Sequence, residues 1–439
     1  MKNIEFDNKG ITLIALVITI IVLLILAGVT IASVTGENGI LNKAVEAKNS
    51  MQEASTEEKI KMIVETYQMD NKQEDKIDLN KLQVLLDNEF GENNTVSRED
   101  IDGTITIHLS SENKEYNINK NDSTVSIIDW NEKMKEAKAP EEQSNKKVIG
   151  IGTNGNVVNM DLWHYAYDTV TNGYALNSSD VLQNTEYNKK GTNTEKISKS
   201  GYFGNENDII VPQYISEDEG KNYIPVTSLY RTFQNNIEIE ESPNIPTTVV
   251  NMLCTFESCI NLKKAKLPYS VINIEWIFNG SGIENVPFLG NNVILMQGAF
   301  SRCKSLKVAN ITIPYKVESL QMTFLENTEL KEANVILPEN LKNMRMTFYH
   351  CTSLEKGPEI IPENVTNIQQ TFQGDVKLHG EMTIKASPVD YGNSFGENCA
   401  VESGEKLIIN EWNGNREILQ KILKQSDWTR KYIVGKWEL

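Results

Sequence analysis

Three glycines at G-x-G-x-x-G spacing, in GIGTNG (150–155), are the first residues of this chain that suggest chemistry. Such a loop holds a dinucleotide pyrophosphate when a strand precedes it and a helix follows. Here VVNMDLW follows, which reads as strand, and Asn154-Gly155 suits a hairpin turn. The four histidines, 108, 164, 350 and 379, stand at no metal-ligand spacing, and H-E-x-x-H is absent. There is no P-loop and no nucleophile elbow. An enzyme built on residues 148–222 would have to draw on His164 and Asp161. Glu217–Asp218–Glu219 and Glu238–Glu240–Glu241 have calcium-binding residue types without the spacing of a calcium loop, and a solvated loop is the alternative reading. Lys263, Lys264 and Lys266 form a small basic group, read as a solvated face. Cys259, Cys303 and Cys351 recur at one repeat position. Two coils of about 4.8 Å would separate neighbours by about 10 Å, too far for a disulfide. The expectation is a chain with no catalytic residue, no cofactor and no metal.

The elements that position these residues follow a period. Eight of the 12 phenylalanines (Phe233, Phe256, Phe278, Phe300, Phe324, Phe348, Phe372, Phe395) are spaced by 23, 22, 22, 24, 24, 24 and 23 residues. Ten residues before a ladder Phe stand Pro246, Pro268, Pro314, Pro338 and Pro362, with Gly290 at the rung missing between them. Val or Leu stands seven before each ladder Phe up to Phe372, an apolar residue four before, and Leu, Ile or Val six after (Ile283 one residue early). One such unit is too short to bury its own apolar side chains, so the units must stack into a solenoid.

PENLKNMRMTFYHCTSLEKGPEIIP (338–362) resembles a leucine-rich repeat of the bacterial surface type, the BspA-like or TpLRR class. That class carries Phe, then Cys or Asn three residues on, then Leu three later. Cys259, Cys303, Cys351, Asn236 and Asn327 fill the middle position, while Ser281 and Asp375 depart from it. The resemblance covers roughly 223–403 and implies a rod used for adhesion or recognition.

Residues 11–34, ITLIALVITIIVLLILAGVTIASV, carry no charge. As a helix they would span about 36 Å, enough for a bilayer core of about 30 Å. A secretory signal and a plain single-pass anchor are two readings. The third is that KGITLIALVITIIVLLILAGVTIA resembles the N-terminus of a type IV prepilin. That resemblance implies cleavage between Gly10 and Ile11 by a prepilin peptidase, N-methylation of Ile11, and other pilins as partners. The Glu that the family's major subunits carry five residues into the mature chain is replaced here by Ala15. A buried terminal amine would then lack its partner, which favours a minor or tip subunit or one that stays in the membrane.

The expected fold class is α+β. Residues 1–10 are a leader and 11–70 a long pilin-like helix, with Ile60, Ile63, Val64 and Tyr67 on one face. Residues 71–130 form a small α/β head, in which 77–90 is a helix and 103–129 a small antiparallel sheet. A charged linker (131–147), a β-rich cap (148–222), the repeats (223–403) and a C-terminal cap (404–439) follow. The cap holds a helix from about Asn415 and the aromatics Trp428, Tyr432 and Trp437.

At 439 residues the chain has room for two or three domains, and 39% of it is hydrophobic. A net charge of −17 argues against nucleic acid as a partner. Aromatics at variable repeat positions, Tyr269, Trp276, Phe288, Tyr315 and Tyr349, form a candidate ligand face, unless they fold back onto the core. The expectation is a non-enzymatic protein in the cell membrane, exposed outside the cell and presenting a repeat rod to a protein or glycan. The alternative is a minor or tip pilin or pseudopilin with a structural role in assembly.

Overall fold

A computed structural model describes residues 55–67, 78–91, 94–100, 103–119, 124–137, 148–177, 201–204, 208–425 and 431–439. The leader, the prepilin-like run and the cleavage pair Gly10–Ile11 lie outside the described residues. Trp428 does also. Among the described residues no helix is long and apolar enough to cross a membrane. Residues 1–70 and 71–439 are separate compact units. In the first, residues 55–67 are helical and bury Ile60, Val64 and Tyr67, with Ile63 half-buried.

The second unit begins with α1 (Leu79–Phe90). Asp78 caps it by accepting from the N–H groups of Asn80 and Lys81, and Gly91 ends it at φ 90°. Its buried face carries Leu79, Leu82, Gln83 and Leu86. Gln83 donates to the Thr95 carbonyl and accepts from the Ser97 hydroxyl, which ties α1 to the first strand of a meander. That antiparallel sheet is β1 (Thr95–Glu99), β2 (Ile105–Leu109), β3 (Lys114–Ile118) and β4 (Val125–Asp129). Residues 131–136, read as the start of a linker, belong instead to α2 (Trp130–Glu136). Asp129 caps α2, and Trp130 is fully buried against Ile151 and Tyr214.

The β-rich cap is a six-stranded sheet in the order β6-β5-β9-β10-β8-β7. Its strands are β5 (Ile149–Gly152), β6 (Val157–Val158), β7 (Ala166–Asp168), β8 (Gly173–Ala175), β9 (Pro212–Ser216) and β10 (Ile224–Ser228). It leads into a β-solenoid. All eight ladder phenylalanines are buried and stack in one column, with ring centroids 5.4–5.8 Å apart and planes within 20°. The spacing exceeds the roughly 4.8 Å of paired strands. Trp163 and Tyr202 of the cap close the open end of the column, 6.0 and 5.7 Å from Phe233.

The Phe side of each coil is a run of turns rather than strand. Each Phe N–H from Phe233 to Phe372 donates to the residue just before the next ladder Phe, at 2.8–3.0 Å. Alternate N–H groups on either side also cross to the next coil, while those between close i→i+3 turns. Two positions per coil take positive φ: two before Phe (Arg231, Cys254, Trp276, Gly298, Met322, Met346, Gln370, Asn393) and two after it (from Asn235 to Glu397). Two further columns support the turns. Thr255, Thr323, Thr347 and Thr371, each just before a Phe, donate their hydroxyls to a carbonyl of the preceding coil at 2.8–3.2 Å. Asn251, Asn273, Asn343 and Asn367, each five before a Phe, accept a backbone N–H two residues on. Cys259, Cys303 and Cys351 donate their thiols to the Phe carbonyl of the preceding coil.

The other side of the coils pairs as parallel strands only in its C-terminal part. These are β11 (Val308–Thr312) with β12 (Glu332–Ile336), then β13 (Ile360–Ile361), β14 (Gly380–Ile384), β15 (Leu407–Asn410) and β16 (Ile433–Gly435). The closing helix α3 (Arg416–Lys424) buries Leu419, Ile422 and Leu423, and Tyr432 and Trp437 pack on the same core. One continuous apolar core runs from Val158 to Ile433.

Phe324→Ala removes a fully buried ring from mid-column and should destabilise the chain by about 3–5 kcal/mol, read from its urea midpoint. A loss under about 1 kcal/mol would mean that the column is not the spine. Asp375 supplies a second test. One of its carboxylate oxygens accepts from the Cys351 N–H at 2.8 Å, as the Asn327 side chain accepts from Cys303 at 2.7 Å. The other is buried with no hydrogen-bond partner. Burial therefore pushes the Asp375 carboxyl well above the usual carboxylate range, against the lowering effect of the Cys351 N–H. A raised folded-state pKa means stability that is whole below the unfolded value of about 4 and lost as pH rises through the folded value. Asp375→Asn should flatten that decline and be more stable by at least about 1 kcal/mol at neutral pH. Matching pH–stability curves for the two proteins would refute the assignment.

Candidate functional site

The glycine motif resolves into strand and turn. Gly150 and Gly152 lie on β5, Gly155 takes φ 77°, and β5 pairs antiparallel with β6. A Cβ at Gly150 would come within 2.2 Å of the Met160 sulfur, and one at Gly152 within 2.3 Å of Ile210. Packing explains both glycines.

The acidic and basic groups consume one another. Glu240 pairs with Lys263 at 3.1 Å and Glu241 with Lys264 at 3.0 Å, one coil apart. These exposed pairs align coils and are worth little individually. Lys266 reaches Glu99 at 3.6 Å and also donates to the Asp100 carbonyl, so it joins the head to the repeats. In the other cluster, Asp218 accepts from Ser216 and from both Asn222 nitrogens, which holds its carboxyl down at about 2. Among the described residues, no group of three or more His, Cys, Asp and Glu is placed to hold a metal ion.

The histidines are scattered, as their spacing indicates. His108 lies 3.7 Å from Glu115 in the head, and His164 packs on Phe203. His350 stacks on Tyr349 and lies 3.4 Å from Glu397, and His379 contacts the Lys377 carbonyl. All five cysteines are buried, and none is in a disulfide. Burial pushes the Cys259 and Cys303 thiols up to about 12, so neither is a nucleophile at neutral pH.

The five aromatics of the candidate face occupy different settings. Tyr269 is buried, its backbone N–H donates to the Ser97 carbonyl of the head, and it fills the space where Gly290 replaces Pro. Trp276 sits at a left-handed position, half-buried, with its indole over Gly298 of the next coil. Phe288 is 37% and Tyr315 67% exposed. Tyr349 lies half-buried against His350. Tyr269 and Tyr315 share the column nine before Phe. Trp276 belongs to the column two before and Tyr349 to the column one after.

Around Trp276 the regular columns break together. Leu295 replaces the turn-capping Asn or Ser and is 45% exposed, beside Ile272 and Ile294 at 39% and 41%. Next to it runs a half-buried column of planar polar side chains, Gln297, Gln321, Arg345 and Gln369. The Arg345 Nε donates to the Gln369 Oε1 at 3.1 Å, and Asn343 donates to the Gln321 Oε1 at 3.3 Å. Column averaging across repeats would have exposed this deviation in the sequence.

A buried joint that the sequence reading missed fixes the head. Glu115 accepts from Gln213 of the cap at 2.9 Å and from Thr247 of the repeats at 2.8 Å. Nothing periodic signals it, because its partners lie 98 and 132 residues away.

No curated protein and no solved structure matches the chain. Residues 227–355 and 277–402 match the family of the BspA type leucine rich repeat region, in six copies. The match spans the phenylalanine ladder and leaves the head, the β-rich cap and the C-terminal cap outside it. The stretch 227–402 is therefore a BspA-type leucine-rich repeat region.

Proposed function

We propose that the chain is a non-enzymatic cell-surface protein whose repeat rod serves recognition or adhesion. The observation that carries this reading is a BspA-type repeat region in the same chain as the uncharged run 11–34. The run anchors the protein in the cell membrane, and the rod faces the outside, where it meets a protein or glycan. The acidic net charge of −17 keeps such a surface soluble and disfavours nucleic acid.

The second reading is a minor or tip pilin. It is favoured by the sequence KGITLIALV around Gly10 and Ile11, and Ala15 argues against a major subunit. In this reading a prepilin peptidase cuts before Ile11, and other pilins are the partners.

Protease treatment of intact cells should release repeat-region peptides, and mass spectrometry of the mature chain should find an N-methylated Ile11. A surface-exposed chain that retains Met1–Gly10 would leave the anchor and remove the pilin route. Repeats that stay protected until the cells are lysed would defeat the surface reading.

A further inference from the structure

The stripe beside the phenylalanine column carries no net charge. Two and three residues before Phe, from Glu275 to Gln370, only Glu275 and Arg345 are ionisable. Burial raises the Glu275 carboxyl, and the Arg345 guanidinium is engaged by Gln369. The body of the chain carries −17. The charges on its flanks are paired with one another, Arg302 with Glu326 and Lys342 with Glu318, so a partner on this stripe finds little free charge, and a polyanion would be repelled by the surroundings.

What the stripe offers is a ring, two thioethers and ordered amides. The Trp276 indole is pinned on Gly298, where any Cβ would collide with it at 2.3 Å. Met322 and Met346 continue the same column, half-buried. Gln297, Gln321 and Gln369 repeat at one per coil beside them. An extended peptide finds no row of free donors to pair with as a strand, because the N–H groups of Glu275, Trp276, Gly298, Gln321, Arg345 and Gln369 already donate within or between coils. A flat, electron-rich ring face next to amide donors and acceptors suits a ligand with polarised C–H faces and many hydroxyls. One coil rise, roughly the 4.8 Å of paired strands, is comparable to one sugar unit.

We propose that this stripe binds a neutral oligosaccharide, laid along the solenoid axis with one sugar ring on Trp276 and its hydroxyls on the glutamine column. The proposal rests on the recognition reading above and names the ligand class for it.

The test is calorimetric titration of the full-length protein, in detergent, with cello- and N-acetylchito-oligosaccharides of two to six units. Affinity should rise with length and resist added salt. Trp276→Ala should weaken hexasaccharide binding at least about tenfold. Gln321→Ala, which gives up one side-chain bond from Asn343, should weaken it several-fold, and Ile260→Ala, on an exposed position outside the stripe, should not. Three results would overturn the proposal: no binding of either neutral series, unchanged binding by both stripe variants, or salt-sensitive binding of anionic sugars or of peptides alone. None of these touches surface exposure, which the protease experiment decides separately.

Discussion

Each coil of the solenoid leaves backbone groups that only a neighbouring coil can satisfy. From four residues before Phe to two after, alternate N–H groups point to the next coil. A buried backbone group without a partner is costly, so this segment tolerates no insertion. Steps of 22 to 24 residues are therefore absorbed on the other side, between the buried Leu six residues after Phe and the next Pro. The stacked rings fill the interior of the fixed segment, and the threonine and cysteine side chains donate to carbonyls of the preceding coil.

A stack with such a rule must be ended deliberately. At one end, Trp163 and Tyr202 cover Phe233 and the cap sheet joins the same core. At the other, α3 and β16 turn apolar side chains onto the last coils. The departures from the repeat are where the chain does something else. Asp375 keeps an Asn-like bond at the cost of a buried carboxyl, and the Trp276–Leu295 region gives up a turn cap for exposed apolar surface.

The repeats were legible because burial recurs with the period of the coil. Phe, Pro, Val and Leu announced their columns by type alone. The threonine and asparagine columns recur with the same period, yet their residue types read as surface until their hydrogen bonds are seen. The left-handed positions were hidden further, since Arg231, Trp276, Met322 and Glu326 are not residues that signal positive φ. The docking of the head was not legible at all. Nothing in the run 103–129 marks Glu115 as a contact, and Lys266 reads as part of a solvated face. The aromatic face was half legible, because exposure depends on neighbouring coils and on the head, which covers Tyr269.

The head grips the side of the solenoid at Thr247, Lys266 and Tyr269, beyond the first phenylalanine, while the chain itself enters through the cap sheet. Tension arriving from the N-terminal side therefore divides between the covalent path and these lateral bonds. The opening coils are thus held at several attachments at once.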